Sequence, residues 1–354
     1  MKLLDALIGK TVIGGTLLVL AVLLALFVFI EFVSEFDRIG QGEYTAWMAF
    51  KYVLFSVPRL AYELMPLAAL LGSLIGLGLL ASNNELTAMR ACGVSVGRIA
   101  WAAVKAGILL VLFAVWLGEG VVATAEDYAA NARATALSGS SALRTQSGFW
   151  TREGDAFVNV RAVEPGPTLS AIVIYEFDGD RALQRMMRAK SATHEEGRWV
   201  LHDVSSSVIG PGGVERVREK RTEWALRLDP ELLDLVAVQP ESLSIVGLHR
   251  YMGYLRDNSL ETSRYEIEFW TKVMLPLASG VMVFAALPFV FGPLRSVGIG
   301  QRMLVGVLTG LGFYLLNQAA AEFGLAFGLN AMLVGFAPTL LLLAVSLVLM
   351  RRLV

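Results

Sequence analysis

Six stretches of this 354-residue chain are continuously apolar over the roughly 20 residues that a helix needs to cross a hydrocarbon layer about 30 Å thick. They fall near Thr11–Val33, Tyr52–Ala81, Ile99–Thr124, Ile267–Phe291, Met303–Phe323 and Met332–Met350. Inside such a layer the backbone must satisfy its own hydrogen bonds, so each run is expected to be a helix. Hydrophobic residues make up 55% of the chain and charged residues 17%, a balance that belongs to a membrane protein and not to a soluble domain. Lys2 and Lys10 precede the first run as they would in a signal peptide. Its length and the lack of a small-x-small cleavage site predict a retained anchor instead.

Charge then sets an expected orientation. Lys2, Lys10, Arg90, Arg98, Arg295, Arg302, Arg351 and Arg352 all fall on one side of the six runs, whereas the opposite connections carry Glu35, Asp37, Arg38 and Glu43, or only Glu322. The positive-inside rule puts both termini in the cytoplasm and the long middle segment outside, which is the periplasm if the cell has two membranes. Lys plus Arg (30) nearly cancel Asp plus Glu (31), so there is no basic field for nucleic acid. The single cysteine, Cys92, excludes an internal disulfide and any multi-cysteine metal site.

Between the third and fourth runs the pattern changes to period two, as in Ala156-Phe-Val-Asn-Val-Arg161 and Ala171-Ile-Val-Ile-Tyr-Glu-Phe177, with turns such as Gly210-Pro-Gly-Gly213 between strands. The expected architecture is a membrane α-helical protein with six transmembrane helices (3+3) and an inserted, periplasmic all-β jelly-roll-like domain. Residues 1–124 hold three spans, 125–245 the β domain, and 246–354 a charged connector helix, near Gly247–Ser263, with three more spans.

Catalytic motifs are missing. Gly9-Lys10-Thr11 has the tail of a phosphate loop, but Leu4 occupies the first glycine position and no strand precedes it. His194, His202 and His249 are scattered, and there is neither a metal-ligand cluster nor a Gly-x-Ser-x-Gly elbow. The chain is expected not to be an enzyme, to carry no cofactor, and to draw any energy from a partner.

The segment Ala81–Ile99 interrupts the apolar pattern. Ser82-Asn-Asn-Glu85 fits a capping box, Leu86, Met89 and Val96 recur at helical spacing beside Thr87 and Arg90, and Gly93 is a natural stop. This spacing predicts a short amphipathic helix over 82–94. It either lies at the interface and returns the chain to the membrane, or docks into a groove of a cytosolic motor.

Within the spans, Gly72, Gly76, Gly78, Gly306 and Gly310 permit close helix approach, and Pro58, Pro66, Pro276 and Pro288 are expected to kink their helices. Arg59 and Glu63 sit at i,i+4 in the outer half of the second span, as do Glu268 and Lys272 in the fourth. Charges at this depth face a polar cavity by default, which makes them substrate-site candidates. Lys105, near the inner end of the third span, is expected to snorkel.

Pro66-Leu-Ala-Ala-Leu-Leu-Gly-Ser-Leu-Ile-Gly-Leu-Gly-Leu-Leu-Ala81 followed by Ser82-Asn-Asn-Glu-Leu-Thr-Ala-Met-Arg-Ala-Cys-Gly93 resembles the lipopolysaccharide-export permease family LptF/LptG, nearer its LptG branch. Leu7-Ile-Gly-Lys-Thr11, Ser56-Val-Pro58, Ser244-Ile-Val-Gly-Leu-His249 and Phe291-Gly-Pro-Leu-Arg-Ser296 extend the resemblance nearly end to end. The resemblance implies a subunit of an ABC transporter in the bacterial inner membrane. Its partners would be LptF, an LptB dimer that uses ATP and Mg, LptC, and LptA through stacked β domains, with no cofactor in this chain. It implies that 82–94 is the coupling helix, with Glu85, Leu86, Met89, Arg90 and Gly93 at the ATPase contact. It implies extraction of lipopolysaccharide toward a periplasmic bridge, with Arg59, Arg38 and Lys272 as phosphate contacts, Glu63 beside Arg59, and Phe27, Phe29 and Phe32 along the acyl cavity. A mechanotransmission subunit that regulates periplasmic factors without moving lipid is the alternative. One departure stands out: the outer end of the first span reads Glu31-Phe-Val-Ser-Glu-Phe-Asp-Arg38, acidic where the family often carries lysines.

Overall fold

The computed structural model describes residues 2–41, 44–122, 124–125, 128–129, 132–133, 143–153, 155–164, 168–178, 182–195, 198–210, 213–224, 243–258, 260–292 and 298–352. Over them the chain forms α1 (Lys2–Ser34), α2 (Ala46–Ser82), α3 (Glu85–Ala91) and α4 (Val96–Leu117, continued as a π turn over Gly118–Val122). Then come β1 (Leu143–Glu153), β2 (Ala156–Glu164), β3 (Thr168–Phe177), β4 (Leu183–Glu195), β5 (Arg198–Gly210) and β6 (Gly213–Trp224). The chain finishes with α5 (Ile245–Asp257), α6 (Ser263–Phe291), α7 (Ile299–Phe327) and α8 (Ala331–Arg351). All but α3 and α5 are long and apolar enough to span a bilayer, giving the expected three-plus-three order of six. The helices outrun the apolar stretches: α2 has 37 residues, about 55 Å of helix, well beyond the hydrocarbon thickness. It runs unbroken through Pro58 and Pro66, as α6 does through Pro276 and Pro288.

The chain divides into two compact units, one of Met1–Glu35, Val53–Glu126 and Ser263–Val354, the other of Phe36–Tyr52 and Asp127–Thr262. In the first, helices cannot gain by hiding leucine from lipid, so they associate where small residues let backbones meet. Helix α2 is the hub: 83% of its most apolar window is buried, against 17% for α1 and 17% for α7, so those two helices keep most of their surface outward. Gly15 of α1 lies on Gly72 so closely that a Cβ on either would overlap the other helix's backbone. One turn along, a Cβ at Gly76 would sit 2.6 Å from the Thr11 carbonyl oxygen. On another face of α2, Leu67, Leu71 and Leu74 fill the notches left by Gly306 and Gly310 of α7. Helix α4 buries Val96, Ile99, Ala103, Ala106, Leu110, Ala114 and Leu117, a stripe of period about 3.5; as far as Leu110 it shares a core with Ala278, Met282, Val283 and Ala286 of α6, and beyond it Ala114 and Leu117 join residues of α1 and α2. Gly335 lets α8 rest on Trp270 of α6.

In the second unit, the strands form one antiparallel sheet in the order β1-β2-β3-β4-β5-β6. The expected β domain is present. Among the described residues, however, its strands run as a meander, without the Greek-key crossovers of a jelly roll, because each turn connects neighbours. Alternation of buried and exposed side chains breaks at one row. Buried neighbours are three apart at Leu169/Ile172 on β3, Ala189/Ala192 on β4 and Leu201/Val204 on β5, while strand pairing keeps its register on both sides. Ala171 (φ 54) and Asp203 (φ 51) lie in this row with left-handed backbones, which act as a bulge would and crease the sheet. Asp tolerates that conformation, whereas Ala does not. The Ala171 side chain is exposed, so Ala171→Gly removes strain without removing packing; amide exchange of β3 is expected to slow about two- to fivefold. Unchanged or faster exchange would mean that the crease is relaxed with alanine.

Strand β6 is exposed along almost its whole length and carries alternating charge, a composition that discourages pairing with a foreign edge. Cross-strand bonds tie it to β4 and β5: Arg221 donates to Glu195 at 2.6 Å and Arg198 to Glu223 at 2.9 Å. The connector α5 starts two residues earlier than expected, at Ile245, where the Ser244 hydroxyl accepts from the Gly247 amide at 2.9 Å.

Candidate functional site

Two polar layers interrupt the apolar bundle, at opposite ends of α2. The first surrounds Arg59, whose Nη1 donates to Glu63 at 3.2 Å and whose Nη2 donates to Glu31 of α1 at 3.4 Å. One turn on, Tyr62 packs its ring into the notch at Gly118 and donates its hydroxyl to the Lys272 carbonyl at 2.9 Å, joining α2, α4 and α6. The carboxylates of Glu119, Glu268 and Glu63 lie close enough to act electrostatically on Tyr62. Arg59 and Glu63 are therefore in contact and Glu31 joins them, while Lys272 is tied to the same stretch of α2 through its backbone carbonyl.

The remaining candidates are placed differently. Arg38 ends the 3-10 turn Phe36–Arg38 in the second unit. Phe27 continues the α1 face that inner residues bury, but is itself exposed; Phe29 is 65% exposed on the other side, and Phe32 is half-buried. Arg295 lies outside the described residues.

About 35 Å along α2 from Arg59, the second layer is built around α3. The capping box does not form: α2 continues through Ser82, whose hydroxyl donates to the Leu79 carbonyl at 3.0 Å. Asn84 turns the chain with a left-handed φ of 62°, and the new helix begins at Glu85 without a side-chain cap. It ends in a Schellman motif, with Gly93 N–H to the Arg90 carbonyl at 3.0 Å and Val94 N–H to Met89 at 3.1 Å. Gly93 has φ 88, which confirms its expected role as the stop. Ser95 caps α4 by accepting from the Arg98 amide.

The apolar stripe of α3 faces inward. Leu86 is 4% exposed inside the bundle core, and Met89 and Val94 pack against that core. Leu86 is thus unavailable as a knob for another protein, and Val96, which the spacing put on the same stripe, belongs to α4. Outward stand Thr87, Ala88, Arg90 and Ala91, with Glu85 half-buried at their edge. Among the described residues no hydrogen bond or ion pair engages the carboxylate of Glu85.

A third arrangement went unread in the sequence. Asp5, in the first turn of α1, accepts from Arg98 Nη2 at 2.7 Å and from Lys105 Nζ at 3.0 Å. Lys105 therefore bonds to α1, where snorkelling alone was expected. The available signal was an acid inside a basic flank together with two bases at i,i+7 on one face of α4.

Residues 6–352 match the family described as lipopolysaccharide export system permease LptF/LptG. The chain belongs to the LptF/LptG family of lipopolysaccharide export permeases. Among curated relatives it is 37% identical over 352 residues to the lipopolysaccharide export system permease protein LptG of Escherichia coli K12, covering 99% of this chain and 98% of that one. It is 36% identical over 340 residues to the LptG of Haemophilus influenzae, covering 96% and 95%. The chain is accordingly an LptG-like, multi-pass permease subunit of an ABC transporter, and ATPase activity lies in a separate subunit. An LptF/LptG permease without a nucleotide site needs a place where force enters and a place where lipid is held, and the two polar layers are the candidates.

Proposed function

We propose that this chain extracts lipopolysaccharide from the outer leaflet of the inner membrane and passes it to a periplasmic protein bridge. An LptB dimer docked on α3 powers the step using ATP and Mg, with no cofactor in this chain. LptF is the paired permease, LptC joins in the membrane, and the creased β domain leads toward LptA. Both termini are cytoplasmic and the β domain is periplasmic, in agreement with the basic flanks.

The observation that carries the docking half is the orientation of α3. Its leucine and methionine are consumed by this chain's own core, which leaves a small polar face held rigidly at a bundle end. Arg90 and the unengaged Glu85 offer that face two opposite charges for a partner groove. Leu86, Met89 and Gly93 then act by seating and ending the helix. In the other layer, Arg59 is the phosphate contact, held in place by Glu63 and Glu31; Lys272 is a further base, and Phe27 and Phe32 line the acyl side. Arg38, in the second unit, is a further phosphate contact by its chemistry alone. Phe29, on the exposed side of α1, is the weakest of the wall residues.

Glu85→Arg should reduce co-purification of the ATPase by about tenfold or more, with Glu85→Ala milder; unchanged assembly would remove Glu85 from the contact. For the whole reading, the complex reconstituted in liposomes should move lipopolysaccharide to a soluble acceptor only with ATP. Normal ATP hydrolysis without transfer would favour a mechanotransmission subunit.

A further inference from the structure

Helix α3 is short and sits between two much longer helices, joined to α2 at Ser82 and to α4 through Ser95. The two least buried spans, α1 and α7, are each held beside these junctions by a charged side chain. For α1, the grip is Asp5. Its two carboxylate oxygens bond separately to Arg98 and Lys105, two turns apart on α4, with Asp5 and Arg98 each about three-quarters buried. One carboxylate thus bridges two cations at the root of the helix that follows α3. For α7, the grip is Arg302 in its first turn, a residue only 2% exposed. Its guanidinium lies on Gly78 of α2, four residues before Ser82, and a Cβ there would sit 2.5 Å from Nη1.

Elsewhere α1 meets the hub by the backbone approach of Gly15 to Gly72, and α7 by leucines of α2 seated at its glycines, contacts that carry no directional bond. A displacement of α3 tilts the end of α2 and the start of α4. Apolar notches transmit such a tilt poorly, because dispersion contacts are non-directional and individually small. The charge-assisted bonds of Asp5, with their fixed geometry, transmit it well, and the Arg302 side chain, filling the space over Gly78, passes on movement of α2 by steric contact.

We propose that the Asp5–Arg98–Lys105 clasp and the Arg302 seat on Gly78 are positioning elements that carry movement of α3 into α1 and α7, so that they set transport per ATP and not assembly. The proposal rests on the reading of α3 as the ATPase dock. Asp5→Asn and Lys105→Met weaken the first grip at partly solvated positions, Asp5→Glu keeps its charge, and Gly78→Ala displaces the guanidinium from the second.

The test uses the full reconstituted complex and measures lipopolysaccharide transferred per ATP hydrolysed, beside ATPase co-purification. Asp5→Asn is expected to lower that ratio about tenfold, Lys105→Met and Gly78→Ala about fivefold, with Asp5→Glu restoring most of it. Co-purification and ATP turnover should stay within about twofold of the parent. A ratio unchanged in assembled Asp5→Asn or Lys105→Met complexes would overturn the proposal, as would parallel losses of turnover and transfer. Should Asp5→Asn fail to assemble while Lys105→Met behaves like the parent, the clasp is only a folding tie and the proposal is equally lost. Failure of the docking reading has a different signature, namely ATPase co-purification indifferent to Glu85→Arg.

Discussion

Gly72→Leu is expected to prevent α1 from docking, with a loss of about 3 kcal/mol or more and no recoverable complex. The side chain has nowhere to go, because its first carbon already overlaps the backbone of Gly15 and Thr16, and a backbone cannot change rotamer to make room. Gly14→Ala is the control: it is one residue from the contact, and a Cβ there meets nothing within 4 Å, so stability should change by less than about 0.5 kcal/mol. Thermal unfolding in detergent of both variants checks the pair. Equal stability would mean that α1 is held elsewhere, with the ionic grip of Asp5 the first place to look.

Arg59→Glu is expected to abolish transfer, with a fall on the order of a hundredfold. The substitution turns a base held between two acids into three neighbouring acids, Glu31 and Glu63 being the others. That cluster repels a phosphate and repels itself. Arg59→Lys keeps the charge but loses the fork that reaches both carboxylates at once, and a drop of about tenfold is expected. Transfer assays with each variant, together with photo-crosslinking of lipopolysaccharide from residue 59, decide the matter. Undiminished transfer with Glu at 59 would move the phosphate site to Lys272 or Arg38.

The sequence was most readable where one short-range rule acts alone. Six apolar runs gave six helices, period-two alternation gave the strands, and i,i+4 spacing gave the Arg59–Glu63 pair. Reading failed where two rules compete. Ser82-Asn-Asn-Glu85 satisfies the capping-box pattern, but a cap needs a chain that enters from outside a helix, and α2 has no breaker before Ser82. The helix therefore consumes the serine, and Asn84 makes the turn. The apolar stripe of α3 was visible, but not its destination, because amphipathicity says that a face is buried and not by which chain. Asp5 and Arg98 are 93 residues apart, and nothing local relates them. The contact between Gly15 and Gly72 had the same character: small residues announce that an approach is allowed, not where it occurs.

The crease across β3, β4 and β5 also bears on how the sheet finds its pairing. A plain meander with regular alternation tolerates a slip of two residues, since the same faces stay buried. Here the parity of burial changes at residues 171, 190 and 203, so any slip brings a break in one strand against unbroken pleat in the next. The row works as a key cut into each strand. Hairpins added in chain order are checked at that notch, and only one alignment lets all of them close.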